Sequence, residues 1–117
     1  MNDLLTAIRL AFPVGAMIPR RREEAEVVAW RIVGERPSME YLSNGTPKTA
    51  AECNIVAAYT QLLNAGEFTQ TWFEQQPMRT TPCNFHAIGS VFETMGFAIY
   101  APDLRSYQYQ EHEHRQV

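Results

Sequence analysis

TTPCNFHAIGSVFETMGFAIYAP, residues 80–102, decides how this 117-residue chain reads. Thr81 followed by Pro82 is a helix start: a capping side chain, then a proline where its missing N–H costs nothing. Phe85, Ile88, Val91, Phe92 and Met95 recur at helical spacing, and Gly96 stops the run. FAIY, 97–100, then reads as a strand. Cys83 and His86 stand three apart, on one face of such a helix. Zinc needs a second spaced pair of ligands. Cys53 is a lone candidate, and His112 and His114 fall in a polar tail. A Cys–His nucleophile needs a third group to orient the base. The sequence supplies neither, so Cys83 reads as a small packing residue in the first helical turn and His86 as solvated.

Working upstream, EFTQTWFEQQPM (67–78) fits a short helix capped by Thr69, with Trp72 and Phe73 turned inward and Pro77 ending it. TPKTAAECNIVAAYTQLLNAG (46–66) predicts a long helix. Thr49 with Glu52 three residues later has the form of a capping box, and Asn64-Ala65-Gly66 supplies the stop. Its apolar band runs through Cys53, Ile55, Val56, Ala58, Tyr59, Leu62 and Leu63, wide enough for a central, largely buried helix. Downstream, 101–106 makes a loop around Pro102-Asp103, YQYQ (107–110) alternates as a returning strand, and EHEHRQV (111–117) reads as a frayed tail.

From 49 to 110 the expected order is helix, short link, short helix, turn, helix, strand, loop, strand. On the stretch GEFTQTWFEQQ…TPCNFHAIGSVFETMGFAIY, this half of the chain resembles the winged-helix variety of the helix-turn-helix superfamily. The resemblance implies that 82–95 is a recognition helix entering the major groove. Asn84, Ala87 and Ser90, on the face opposite Phe85 and Ile88, would then meet bases, with His86 and Glu93 beside them. Arg79 and Thr80 would hold phosphates, as would an arm at Arg20, Arg21 and Arg22. The 101–106 loop would be the wing, with Arg105 as its basic contact. Such proteins are often DNA-binding transcription regulators that act as dimers.

The first 48 residues lie outside that resemblance. Leu4, Leu5, Ile8 and Phe12 form an apolar stripe on a helix over 2–12, which either packs on the core or meets a second subunit as a dimer contact. AEVVAWRIVG (25–34) and SMEYLSNG (38–45) read as two strands turning at Glu35-Arg36-Pro37, a β-hairpin, with Asn44-Gly45 breaking the second. Between helix and hairpin, Arg20–Arg22 meet Glu23, Glu24 and Glu26, which cancel the local field.

Bulk composition constrains function. Net charge is −3 and nine of the ten basic residues are arginine. Residues 49–110 carry Arg79 and Arg105 against five acidic groups, and the predicted recognition helix has no Lys or Arg at all. Phosphate neutralisation supplies most non-specific DNA affinity, so this balance counts against DNA binding. Two cysteines are too few for a disulfide framework and fit free thiols in a reducing compartment. Asp3 and Arg9 interrupt the apolar start, and the arginine run follows it, the reverse of a secretory leader; the stretch is too short to span a bilayer. A cytoplasmic protein without membrane contact is expected. No carboxylate pair, phosphate loop or hydrolase motif stands out, so the chain reads as non-enzymatic with no cofactor.

The expectation is therefore an α+β protein forming a single domain over 1–117: a winged helix-turn-helix over 49–110, preceded by an N-terminal helix and a β-hairpin (1–48) and followed by the 111–117 tail. It either binds DNA, as a homodimer, or is a protein–protein interaction module or accessory subunit with an acidic surface.

Overall fold

The computed structural model describes residues 2–19, 24–76 and 82–111. It is a mixed helix-and-sheet structure. Helix α1 (Asn2–Ala11) leads through a turn into the two-residue strand β1 (Met17–Ile18). Three longer strands follow, β2 (Ala25–Val33), β3 (Arg36–Ser43) and β4 (Thr46–Ala51), and the four form an antiparallel sheet in the order β1-β2-β3-β4. Two-residue loops make both long hairpins. Gly34 and Glu35 have φ of 56° and 70°, and Asn44 and Gly45 have 53° and 75°. Positive φ at both central positions is the turn whose twist matches that of the flanking strands.

The second hairpin corrects the sequence reading. Residues 46–51 are a strand, not the start of a helix, and Thr49 caps nothing there: helix α2 (Glu52–Ala65) begins after Ala51, which makes no side-chain cap. Helical periodicity was extended upstream through a false capping box. Pairing with β3 overrides it, setting Ala50 against Met39, both fully buried. The first turn also sits at Gly34-Glu35 rather than at 35–37. Pro37 falls at the last rungs of the ladder, beside Ile32. A proline there costs no ladder bond, because the rungs alternate and Val33↔Arg36 closes the hairpin.

After α2 comes β5 (Glu67–Thr69), then α3 (Gln70–Glu74), α4 (Pro82–Thr94), β6 (Ala98–Ala101), a single 3-10 turn at Pro102–Leu104 and β7 (Ser106–Tyr109). These last strands form a second antiparallel sheet, ordered β5-β7-β6. Thr69 caps α3 as expected, its hydroxyl accepting the Trp72 N–H at 3.0 Å. Residues 67–69 are nonetheless a strand rather than helix. Helix α4 ends in a paired stop: Phe97 N–H reaches Phe92 C=O and Gly96 N–H reaches Glu93 C=O.

One apolar core joins the two sheets. It runs from Ile8, Phe12 and Ile18 through Val27, Met39 and Tyr41 to Phe68, Phe85, Phe92 and Tyr107. Phe68 sits at its aromatic centre. Its ring stacks on Tyr107 (5.3 Å, 17°) and meets Phe85 and Phe92 edge-on. Leu4 and Leu5 pack on this core half-buried, while Ile8 and Phe12 lie within it. Of the stripe expected to pack on the core or meet a second subunit, Ile8 and Phe12 belong to the chain's own interior. Among the described residues no helix is long and apolar enough to cross a membrane.

Candidate functional site

Helix α4 carries most of the predicted site. Burial runs almost unbroken along it, through Asn84, Phe85, Ala87, Ile88, Ser90, Val91 and Phe92. A helix apolar or small on every side must be enclosed, and this one packs against α3 and β6 on one flank and against β4 and β1 on the other. The expectation of an open face at Asn84, Ala87 and Ser90 is thus corrected. They are 4%, 0% and 5% exposed, and α4 contacts β4 and β1 of the N-terminal sheet. Asn84 bonds to that sheet twice. Its Oδ1 accepts the Tyr41 hydroxyl at 2.7 Å, and its Nδ2 donates to the Thr49 carbonyl at 2.8 Å. An asparagine that suits an adenine edge instead satisfies a buried tyrosine and the backbone of β4.

His86 is half-buried, not solvated. Its Nδ1 lies 3.1 Å from the Tyr107 hydroxyl, and Phe85 and Tyr100 meet its ring edge-on. Tyr107 approaches α4 closely enough to require Gly89: a Cβ built there falls 2.1 Å from the ring's Cζ. Cys83 is half-buried in the first turn of the helix and Cys53 is exposed on α2, and neither is in a disulfide. Among the described residues no three His, Cys, Asp or Glu side chains gather in a metal-holding group.

The outer face of the second sheet is polar. Glu67 Oε1 accepts hydrogen bonds from Ser106 Oγ and Gln108 Nε2, each 2.7 Å. Arg105 is exposed at the β6–β7 turn, in a left-handed conformation with φ 47°, and its carbonyl accepts the Gln70 N–H. It is the only basic residue between 82 and 111. Of the other DNA-contact candidates, Arg20, Arg21, Arg22, Arg79 and Thr80 lie outside the described residues, as do Thr81 and the tail from His112 to Val117.

A different surface was not foreseen from the sequence. A cleft of about 340 Å³ opens where β2 and β3 extend past α1, lined by Arg9, Trp30, Arg31, Ile32, Pro37 and Glu52. Arg9 sits over the Trp30 indole, 5.7 Å from its centroid, and donates to Glu52 at 2.5 Å. The indole N–H donates to the Phe12 carbonyl at the end of α1. Arg31 donates through Nε to Glu40 at 2.9 Å, and this bond holds the Glu40 carboxyl below the ordinary carboxylate range. Ile32, an aliphatic residue beside the tight turn, stays 67% exposed. That Arg9, Trp30 and Glu52 meet is a fact of the tertiary fold alone.

No family model, no curated protein and no solved structure matches this chain.

Proposed function

We propose that this chain is a non-enzymatic protein-interaction module, built on a winged-helix-type half whose recognition-like helix is committed to the chain's own N-terminal sheet. Residues 52–109 run helix, short helix, helix, strand, turn, strand, the order on which the resemblance rests, with β5 added between the first two helices. The observation that carries the functional reading is the burial of Asn84, Ala87 and Ser90 on a helix that contacts β4 and β1, with Asn84 tied to the sheet by its bonds to Tyr41 and Thr49. Base readout needs side chains that reach into a groove about 12 Å wide, which a sheet lying on the same helix face excludes. What remains for phosphates in this half of the described chain is Arg105, on a segment with surplus acidic charge. Removal of the sheet to free α4 would open the shared core, so the cover is part of the fold.

Fluorescence anisotropy of a labelled mixed-sequence duplex at low salt tests the reading. No saturable binding is expected below about 10 μM protein, at or tighter than the weak end of non-specific affinities for DNA binders. Saturable binding that falls steeply with salt and weakens in Arg105→Ala overturns it.

A further inference from the structure

We propose that the outer edge of β2, together with the cleft at its foot, takes up an extended segment of a partner protein in which apolar residues alternate with carboxylates. The inference rests on the interaction-module reading and gives that module a docking surface.

The backbone comes first. β1 pairs with β2 only at Ala25 and Glu26, and the preceding turn adds two bonds, Gly15 N–H to Val27 C=O and Val27 N–H to Ala16 C=O. The ladder to β3 shifts by one residue between Val27 and Ala29. Among the described residues, no strand pairs with β2 on that side beyond Val27. The hydrogen-bond directions follow from the register. Val33↔Arg36 closes a two-residue hairpin, so Arg31↔Ser38 is again a bonded rung, while Trp30↔Met39 and Ile32↔Pro37 are the non-bonded rungs between them. Pro37, which has no N–H to give, confirms that phase. The N–H and C=O groups of Trp30 and Ile32 therefore point away from β3, toward the open edge, and an added strand meets two residues' worth of backbone donors and acceptors.

Side chains occupy backbone groups on two other edges among the described residues. On β6, the Tyr100 N–H donates to Glu93 Oε2 at 2.9 Å. On β4, the Thr49 carbonyl accepts from Asn84. Side chains blunt both edges, which is how folded proteins keep strands from pairing with strangers. Among the described residues, no side chain bonds to the outward backbone groups of Trp30 or Ile32; the bulge at Val27/Ala29 and the charged Arg31 lie beside them.

Side chains give the class of occupant. Residues of one strand alternate between faces, so Trp30 and Ile32 look one way and Arg31 the other. The first pair, with Pro37, forms an open apolar floor. Arg31 is 57% exposed beside the edge, and Arg9, 42% exposed, stands at the cleft with Glu52 behind it. Each of these guanidinium groups already holds a carboxylate, Arg9 on Glu52 and Arg31 on Glu40 through Nε, and the terminal N–H groups of the exposed Arg31, on the face opposite the floor, are the donors left for a further carboxylate. An incoming strand that alternates apolar and acidic residues places the first on Trp30, Ile32 and Pro37 and the second against Arg31.

The test is an NMR titration of the full chain with three soluble hexapeptides: alternating leucine–glutamate, alternating leucine–lysine, and the leucine–glutamate composition in block order. The expected result is saturable shifts of the Trp30 and Ile32 amides with the first, and at least about tenfold weaker binding of the other two, the loss expected where charge and alternation both matter. Ile32→Pro removes the outward N–H without touching a β3 rung, and Arg31→Glu inverts the charge. With unfolding transitions showing both variants folded, Ile32→Pro abolishes saturation and Arg31→Glu shifts preference to the leucine–lysine peptide. Absence of saturable shifts, equal response to all three peptides, or folded variants that bind unchanged each overturn the proposal. So do shifts at 29–33 that grow with protein concentration alone, which make the edge a contact between copies. None of these outcomes touches the DNA titration, on which the interaction-module reading stands or falls.

Discussion

Gly89→Ala separates local preference from packing, because the two predict opposite signs. Gly89 lies inside α4, and in an exposed helix alanine is worth about 1 kcal/mol over glycine. Here the new Cβ would fall 2.1, 2.2 and 2.5 Å from three atoms of the Tyr107 ring, where ordinary contact begins near 3.4 Å. The ring or the helix must shift by more than an ångström. Tyr107 is fully buried and has no room to give. Phe68 stacks on it, Phe85 and Tyr100 flank it at 5.1 and 4.7 Å, and its hydroxyl meets His86. Overpacking of a tight core costs about 1–3 kcal/mol, and displacement of a buried hydrogen-bonded ring adds about 1 more. Setting the helix gain against this leaves a net loss of about 1–3 kcal/mol. For a chain of this size that lowers Tm by roughly 5–15 °C. Urea and thermal unfolding followed by circular dichroism measure it, with the His86 ring signals as a local reporter of the Tyr107 contact. A variant as stable as the parent, or more stable, would refute the packing of β7 on α4.

Three further outcomes follow from the same geometry. Asn84→Ala removes the acceptor of the Tyr41 hydroxyl and a donor to Thr49 in one step, and denaturant unfolding is expected to show a loss of about 2–4 kcal/mol; Tyr41→Phe, which deletes one bond and leaves no cavity, is expected to cost about 1 kcal/mol. Glu35→Asn relieves a glutamate held at φ 70° in the first hairpin turn and should raise stability by about 0.5–1 kcal/mol in the same assay; an unchanged midpoint counts against the left-handed conformation. The Glu40 carboxyl, held low by Arg31, contributes stability that is present above the ordinary glutamate range and lost as pH falls through its depressed folded value. The Tm gap between the parent and Glu40→Gln should therefore narrow between about pH 6 and pH 3, with a gap independent of pH arguing against the ion pair.

Local signals were legible and distant ones were not. The strands at 25–33 and 36–43 announce themselves through β-branched residues and Trp30, and α4 through Thr81-Pro82 and its apolar spacing. Asn44-Gly45 was read as a break when it is the favoured hairpin turn, and that misreading hid β4. The burial of Asn84, Ala87 and Ser90 was half visible: a helix with no charge before Glu93 and with small residues on its second face has something close against it. What lies there is Tyr41, 43 residues upstream, and Thr49, 35 upstream. No periodicity within a helix encodes a partner at that distance. The cleft is the same kind of case, since Arg9, Trp30 and Glu52 come together only through packing of α1, β2 and α2. The resemblance supplied an element order but not the sheet that covers the helix, because that sheet belongs to the residues outside it.

The central claim is that the second face of α4 stays covered in the native protein, and thiol labelling of Ser90→Cys in a Cys83→Ser background measures that directly. Cys53, exposed on α2, serves as the internal standard. With a thiol in place of the buried Ser90 hydroxyl, the account predicts that Cys53 reacts from the folded state while the new cysteine reacts only as fast as global unfolding allows. Labelling of both at comparable rates, in a protein whose unfolding transition is intact, would show an accessible face and contradict it.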